Sequence, residues 1–198
     1  MGTVNANLSA TFREVTAYEL TMTADDSEHC AGLKVYGETY TDHPVWVTGN
    51  ASVTVEAIPA SGYAFSHWTI VEAVPYSGAS VNADFAATTI FNMGSSNATL
   101  TAHFVPVYTL TLVSSNDDCT FKVNGETYTQ PITLVEDERV SLEVTPVEGF
   151  TGWTVAGSGS VENVATATTI FTMGAGNATV TANYGRSGET NNNRNSRR

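Results

Sequence analysis

Residues 140–146 read VSLEVTP, and residues 53–59 read VTVEAIP. In an extended chain Val140, Leu142 and Val144 fall on one side, while Ser141, Glu143 and Thr145 fall on the other. A two-residue period belongs to a strand with one buried face. Val53, Val55 and Ala57 repeat the pattern, so the same strand is predicted twice. Working outward, the neighbours also recur in order. YELTMTADD at 18–26 matches YTLTLVSSN at 108–116, and KVYGETYT at 34–41 matches KVNGETYT at 122–129. HWTI at 67–70 matches GWTV at 152–155, and ATTIFNMGSSNATLTAHF at 87–104 matches ATTIFTMGAGNATVTANY at 167–184. A fixed order at a near-constant offset is tandem duplication.

Turn chemistry punctuates each copy. Asn124-Gly125 is a two-residue hairpin signal because both turn positions need positive φ, and Tyr36-Gly37 is its weaker counterpart. Pro59–Gly62 and Pro146–Gly149 predict tight turns before a tryptophan strand. MGSSN and MGAGN read as the turn of a closing hairpin, Gly157-Ser158-Gly159-Ser160 as a flexible loop, and Glu136-Asp137-Glu138 as a solvated hairpin tip. No segment keeps a helical period over three turns. The class is all-β: two tandem small β-sandwich (Ig-like) modules, with a β-grasp-like arrangement as the alternative. The divisions are an N-terminal arm at 1–16, module 1 at 17–105, module 2 at 106–184 and a basic tail at 185–198. Trp68, Phe91 and Tyr18, matched by Trp153, Phe171 and Tyr108, are expected in the cores.

One strand is in excess. NANLSATF at 5–12 repeats NATLTAHF at 97–104 and NATVTANY at 177–184. It is expected to be the last strand of a preceding repeat, a cap on module 1, or a strand offered to another molecule. For the third role the candidate intersubunit residues are Asn5, Leu8, Ala10 and Phe12.

Charge narrows the partners. The net charge is −12, yet the segment after Gly185 carries Arg186, Arg194, Arg197 and Arg198 against Glu189, which leaves −15 for the rest. So acidic a body repels phosphate, and nucleic-acid binding is not expected. Those four arginines are candidate tail contacts for an acidic neighbour. No stretch reaches the ~20 apolar residues of a membrane span, so no membrane insertion is expected. Residues 1–15 lack the basic start and apolar run of a signal peptide. The chain is therefore expected to be a processed or excised piece, or to reach its destination without a secretion signal.

The string Y-x-L-T, V-N-G-E-T-Y, V-x-L-x-V-T-P-x-x-G-F-x-G-W, F-T-M and N-A-T-V-T-A-N-Y resembles the divergent internalin-type (InlB) B-repeat domain of bacterial surface proteins. The resemblance covers about 18–104 and 108–184. It implies compact β-modules that act as spacers, stalks or contact surfaces, extracellular or at the cell surface; similar modules decorate phage structural proteins. It carries no shared catalytic motif.

The residues themselves supply no enzyme signal. His29, His43, His67 and His103 fit no metal-ligand spacing, no serine elbow is present, and no catalytic residue, metal or cofactor is expected. Cys30 and Cys119 occupy matched positions and read as free thiols packed as small apolar residues, with an intermolecular bond as the alternative. Asp25, Asp26 and Glu28, like Asp117 and Asp118, read as solvated loops, and Asn97 and Asn177 as turn residues. Differences between the copies point to function. Trp46 alternates against Val45 and Val47 and is expected to face outward, where copy 2 has Thr133; Tyr76 lies in a segment longer in copy 1; His67 stands where copy 2 has Gly152. Trp46, Tyr76 and His67 are the candidate contacts. The expected function is a non-enzymatic structural or adhesive module making protein–protein contacts through strand edges and terminal arms, as a homo-oligomer or larger assembly. Alternatives are a virion decoration or fibre protein, and a carbohydrate-binding module using a surface glycan.

Overall fold

The computed structural model describes residues 15–185, and among them every regular element is a strand. The arm residues Asn5, Leu8, Ala10 and Phe12 and the tail residues Arg186, Arg194, Arg197 and Arg198 lie outside the described residues. The chain divides into two compact units at Val105/Pro106.

In the first unit the elements are β1 (Ala17–Ala24), β2 (Cys30–Val35), β3 (Glu38–Thr39), β4 (Val45–Thr48), β5 (Ser52–Pro59), β6 (Tyr63–Glu72), β7 (Ser80–Val81), β8 (Thr88–Asn92) and the first half of β9 (Ala98–Ser114). One sheet has the order β6-β9-β1-β4 and the other β3-β2-β5-β8-β7. Alternate residues of both sheets meet between them: Leu20, Val47, Val55, Trp68, Phe91 and Leu100 are among the core residues. That is a sandwich, and it resolves the choice against the β-grasp-like alternative. The first and last strands of the unit lie side by side in parallel, with Leu20 opposite Ala98.

The second unit repeats this plan. Its elements are the second half of β9, β10 (Thr120–Val123), β11 (Glu126–Thr127), β12 (Ile132–Val135), β13 (Arg139–Thr145), β14 (Phe150–Val161) and β15 (Thr168–Tyr184). Leu110 of β9 lies opposite Ala178 of β15, again in parallel. Leu110, Leu142, Val144, Trp153, Phe171 and Val180 fill its core.

The hairpin signals hold. Asn124 and Gly125 have φ of 51° and 85°, and the weaker pair Tyr36 and Gly37 adopts nearly the same geometry at 54° and 83°. The pairing of β2 with β3, Val35 opposite Glu38, therefore imposes the turn on a tyrosine that would not choose it alone.

Three sequence expectations are corrected. MGSSN and MGAGN are not hairpin turns. In the first unit residues 93–97 carry the chain from β8, in one sheet, to β9, in the other. In the second, β15 runs through without a break: Thr168–Thr172 pairs with β13, and Ala178–Ala182 pairs with β9. Gly157-Ser158-Gly159-Ser160 is not a flexible loop but part of β14, with a register shift between Gly157 and Gly159. The two corrections share one cause. Glycines at 157 and 159 let β14 continue past the point where β6 ends at Glu72, so it pairs with β15 on both sides of the shift, Gly157 opposite Ala178 and Gly159 opposite Met173. Glu136-Asp137-Glu138 is likewise no hairpin tip, since β12 pairs with β9 whereas β13 pairs with β10 and β15.

Asn97 and Asn177 do more than turn the chain. The Asn97 side-chain oxygen accepts the Glu19 backbone N–H at 3.0 Å, and that of Asn177 accepts Thr109 N–H at 2.8 Å. Each amide ties the start of the closing strand to the start of the opening one, at the mouth of the parallel pair.

Candidate functional site

The copies share their cores, so a surface specific to one copy must come from their differences. The largest is the segment after β6. Positions 73–79 stand where the second unit has only Ser158 and Gly159, and they rise as a loop whose shape is set by one carboxylate. Glu72 accepts the Ser77 N–H at 3.1 Å, the Ser77 hydroxyl at 2.6 Å and the Ala79 N–H at 2.6 Å. Ser96 adds a bond to the Ser77 hydroxyl at 2.7 Å, and the Ser95 N–H donates to Ser77 O at 2.9 Å. At the tip, Tyr76 holds a left-handed φ of 62° with its side chain entirely in solvent. Strain of this kind persists where surroundings over-determine it.

Hydrogen bonds from Ser77, then from the Ala79 backbone, hold the Glu72 carboxyl below its ordinary value of 4.5. A depressed folded-state value means that this contribution to loop order is present above 4.5 and lost as pH falls through the lower, folded value. Glu72→Gln is expected to speed amide exchange at Ser77 and Ala79 while leaving the core protected, and acidification should do the same to the wild type. Unchanged exchange in the variant would show that the loop does not depend on the carboxylate.

Trp46 sits on the edge strand β4 and is 64% exposed, whereas Val47 beside it is buried. It lies directly opposite Glu19 of β1. From Glu19 a shallow groove crosses the outer face of the sheet past Thr21, Thr99 and Asn97 to Val71, Glu72 and Ala73 at the foot of the loop. Asn97 Nδ2 donates to Glu19 Oε2 at 3.3 Å. The second unit has the same groove with plainer walls: Thr109, Thr111, Ala156, Gly157, Asn177 and Thr179.

His67 is placed differently from Trp46 and Tyr76. Its ring stacks on His103 with centroids 4.5 Å apart and planes 8° from parallel. His103 is oriented by Asp25 Oδ2 at 3.4 Å from Nδ1 and by Thr69 Oγ1 at 2.8 Å from Nε2. In the second unit Asn183 takes the place of His103 and donates to Gly152 O at 3.1 Å and Thr154 Oγ1 at 3.3 Å. Sequence reasoning named His103 and Asp25 but did not place them beside His67, because they sit on β9 and in the chain just after β1, far from His67 in number. Among the described residues, no three His, Cys, Asp or Glu side chains converge as a metal cluster.

Cys30 and Cys119 are free and partly buried. Burial raises the Cys30 thiol above its ordinary value, which disfavours the reactive thiolate. Tyr184, over Cys119, donates its hydroxyl to Pro146 O at 2.7 Å. Burial, with the Cys119 contact, pushes this phenol up to about 12.

Fold and surface together define a tandem β-sandwich repeat protein. The chain belongs to the divergent InlB B-repeat domain family, whose model matches residues 34–107 and 118–188. Comparison with curated proteins gave no match. Among solved structures, the chain is similar to the pilus adhesin SpaC from Lactobacillus rhamnosus GG in its open conformation, at 12% identity and a TM-score of 0.28, covering 84% of this chain. It spans only 31% of the length of that adhesin. It is also similar to the major pilin T-13 of Streptococcus pyogenes, at 9% identity and a TM-score of 0.24, covering 88% of this chain and 98% of that one. TM-scores this low do not establish a common fold.

Proposed function

We propose that the chain is a non-catalytic structural and adhesive module of a surface-exposed assembly, making protein–protein contacts through strand edges and terminal arms. One observation carries the reading. The aromatic residues that the two copies share are spent on the fold: Trp68 and Trp153 are 3% exposed, and Phe91 and Phe171 are fully buried. What a duplicated scaffold of this kind offers is its outer surface and its length. Family membership favours a cell-surface setting over a virion component.

The arm provides the test. Asn5–Phe12 repeats the alternation of Ala98, Leu100, Ala102 and Phe104, all buried in the first unit. A strand with that pattern is stabilised by pairing and burial, and other copies of the chain are available partners. Sizing chromatography of the full chain is expected to show a concentration-dependent assembly that shrinks when residues 1–13 are removed. Identical elution of the two would rule out assembly through the arm.

A further inference from the structure

We infer that the groove on the outer face of the first unit, between Trp46 and the Glu72 loop, is a binding subsite for an uncharged pyranose of a surface glycan. The inference goes beyond the reading of the chain as a structural module, which stands whether or not the groove binds.

The duplication supplies an internal control. The two units share the groove and the asparagine that closes its end, Asn97 or Asn177. That asparagine bonds the opening strand in both, so its presence is explained by the fold alone. The remaining wall residues differ in one direction. Glu19 replaces Thr109, Val71 replaces Ala156, and on the adjoining edge strand Trp46 replaces Thr133. The first unit therefore adds a flat aromatic face and a carboxylate, which the second lacks, to two threonine hydroxyls that both units carry, Thr21 and Thr99 matching Thr111 and Thr179.

Their placement suits a sugar. Trp46 and Glu19 are directly opposed residues on neighbouring strands, so their side chains leave the same face about 5 Å apart. The exposed indole offers an apolar plane on which the C–H face of a pyranose can stack. Glu19, held by the Asn97 amide, and Thr21 and Thr99 offer acceptors and donors for ring hydroxyls. Val71, 66% exposed, extends the apolar floor toward the loop. The charge of the groove selects among sugars. Its charged walls, Glu19 and Glu72, are both acidic, and no Lys, Arg or His lines it, so uronic, sialic, sulfated or phosphorylated sugars are disfavoured. The carboxylate of Glu72 is already engaged by Ser77 and Ala79, which leaves Glu19 as the principal acceptor.

The test uses the full chain. Titration calorimetry with β-1,4-linked glucose, β-1,4-linked N-acetylglucosamine and α-linked mannose trisaccharides, each to about 1 mM, is expected to give binding to at least one. Trp46→Thr and Glu19→Thr, which install the residues of the second unit, are each expected to weaken it by roughly tenfold or more, with unfolding curves unchanged. Silence of the wild type toward all three sugars overturns the assignment. So does binding that neither variant alters, or binding of an oligolysine peptide in place of sugar. The sizing experiment above reads assembly independently of any of these outcomes.

Discussion

Trp153→Ala lowers the stability of the second unit by about 3–5 kcal/mol in urea unfolding. The indole is 3% exposed and packs against Phe150 and Phe121 with ring centroids 5.3 and 6.2 Å away. Its Nε1–H donates to Thr166 O at 2.8 Å. Truncation opens a cavity between the layers and leaves that carbonyl without its donor, and the two costs fall in the same direction. Trp68 is held in the same way by Ala86 O at 3.0 Å. The contrast is Trp46→Ala, for which the change should stay within about 0.5 kcal/mol because nothing buried is lost. Equal losses for Trp46 and Trp153 would contradict the division of aromatics into core and surface.

Gly157→Ala is expected to cost about 2–4 kcal/mol, a large effect for one methyl group. The residue has φ of 92°, where side chains other than hydrogen are strained. A Cβ there would collide with the carbonyl oxygen of Asn177 and come within 3.2 Å of Ala178 Cα. Both belong to β15, which is paired on its other side to β9, so the backbone cannot yield without loosening the sheet. Thermal unfolding measures the loss. A substitution that left the midpoint unchanged would mean that the register shift at Gly157/Gly159 relaxes freely. The equivalent residue of the first unit is Glu72, where the chain leaves the strand for the loop and a side chain is accommodated.

These two positions show how far a sequence can be read. Trp153 was legible because its partner Trp68 sits in a matching string and because a tryptophan retained in both halves of a duplication is interior material. Gly157 was not. A glycine–serine run looks the same whether it is a loose loop or a strand pressed against a neighbour's carbonyl, and the difference lies in Asn177 of β15, twenty positions further along the chain. The candidate surface divides similarly. The outward aim of Trp46 follows from the two-residue period alone. The groove beside it does not, because Glu19, Thr99 and Val71 come together only through strand pairing.

By itself, the sequence determined the all-β class, the alternation that marks each buried face and the turns at Asn124-Gly125, Gly62 and Gly149, because each depends on residues within a few positions of one another, and the duplication, because it is a match of string to string that needs no contact between them. Only the tertiary structure decided that the opening and closing strands of each unit run parallel, that MGSSN crosses between sheets while MGAGN stays in one strand, and that His67 stacks on His103 rather than facing solvent alone. Those outcomes depend on which strands become neighbours, and that is set by burying two faces against each other, a choice made across the whole unit and not within any one segment.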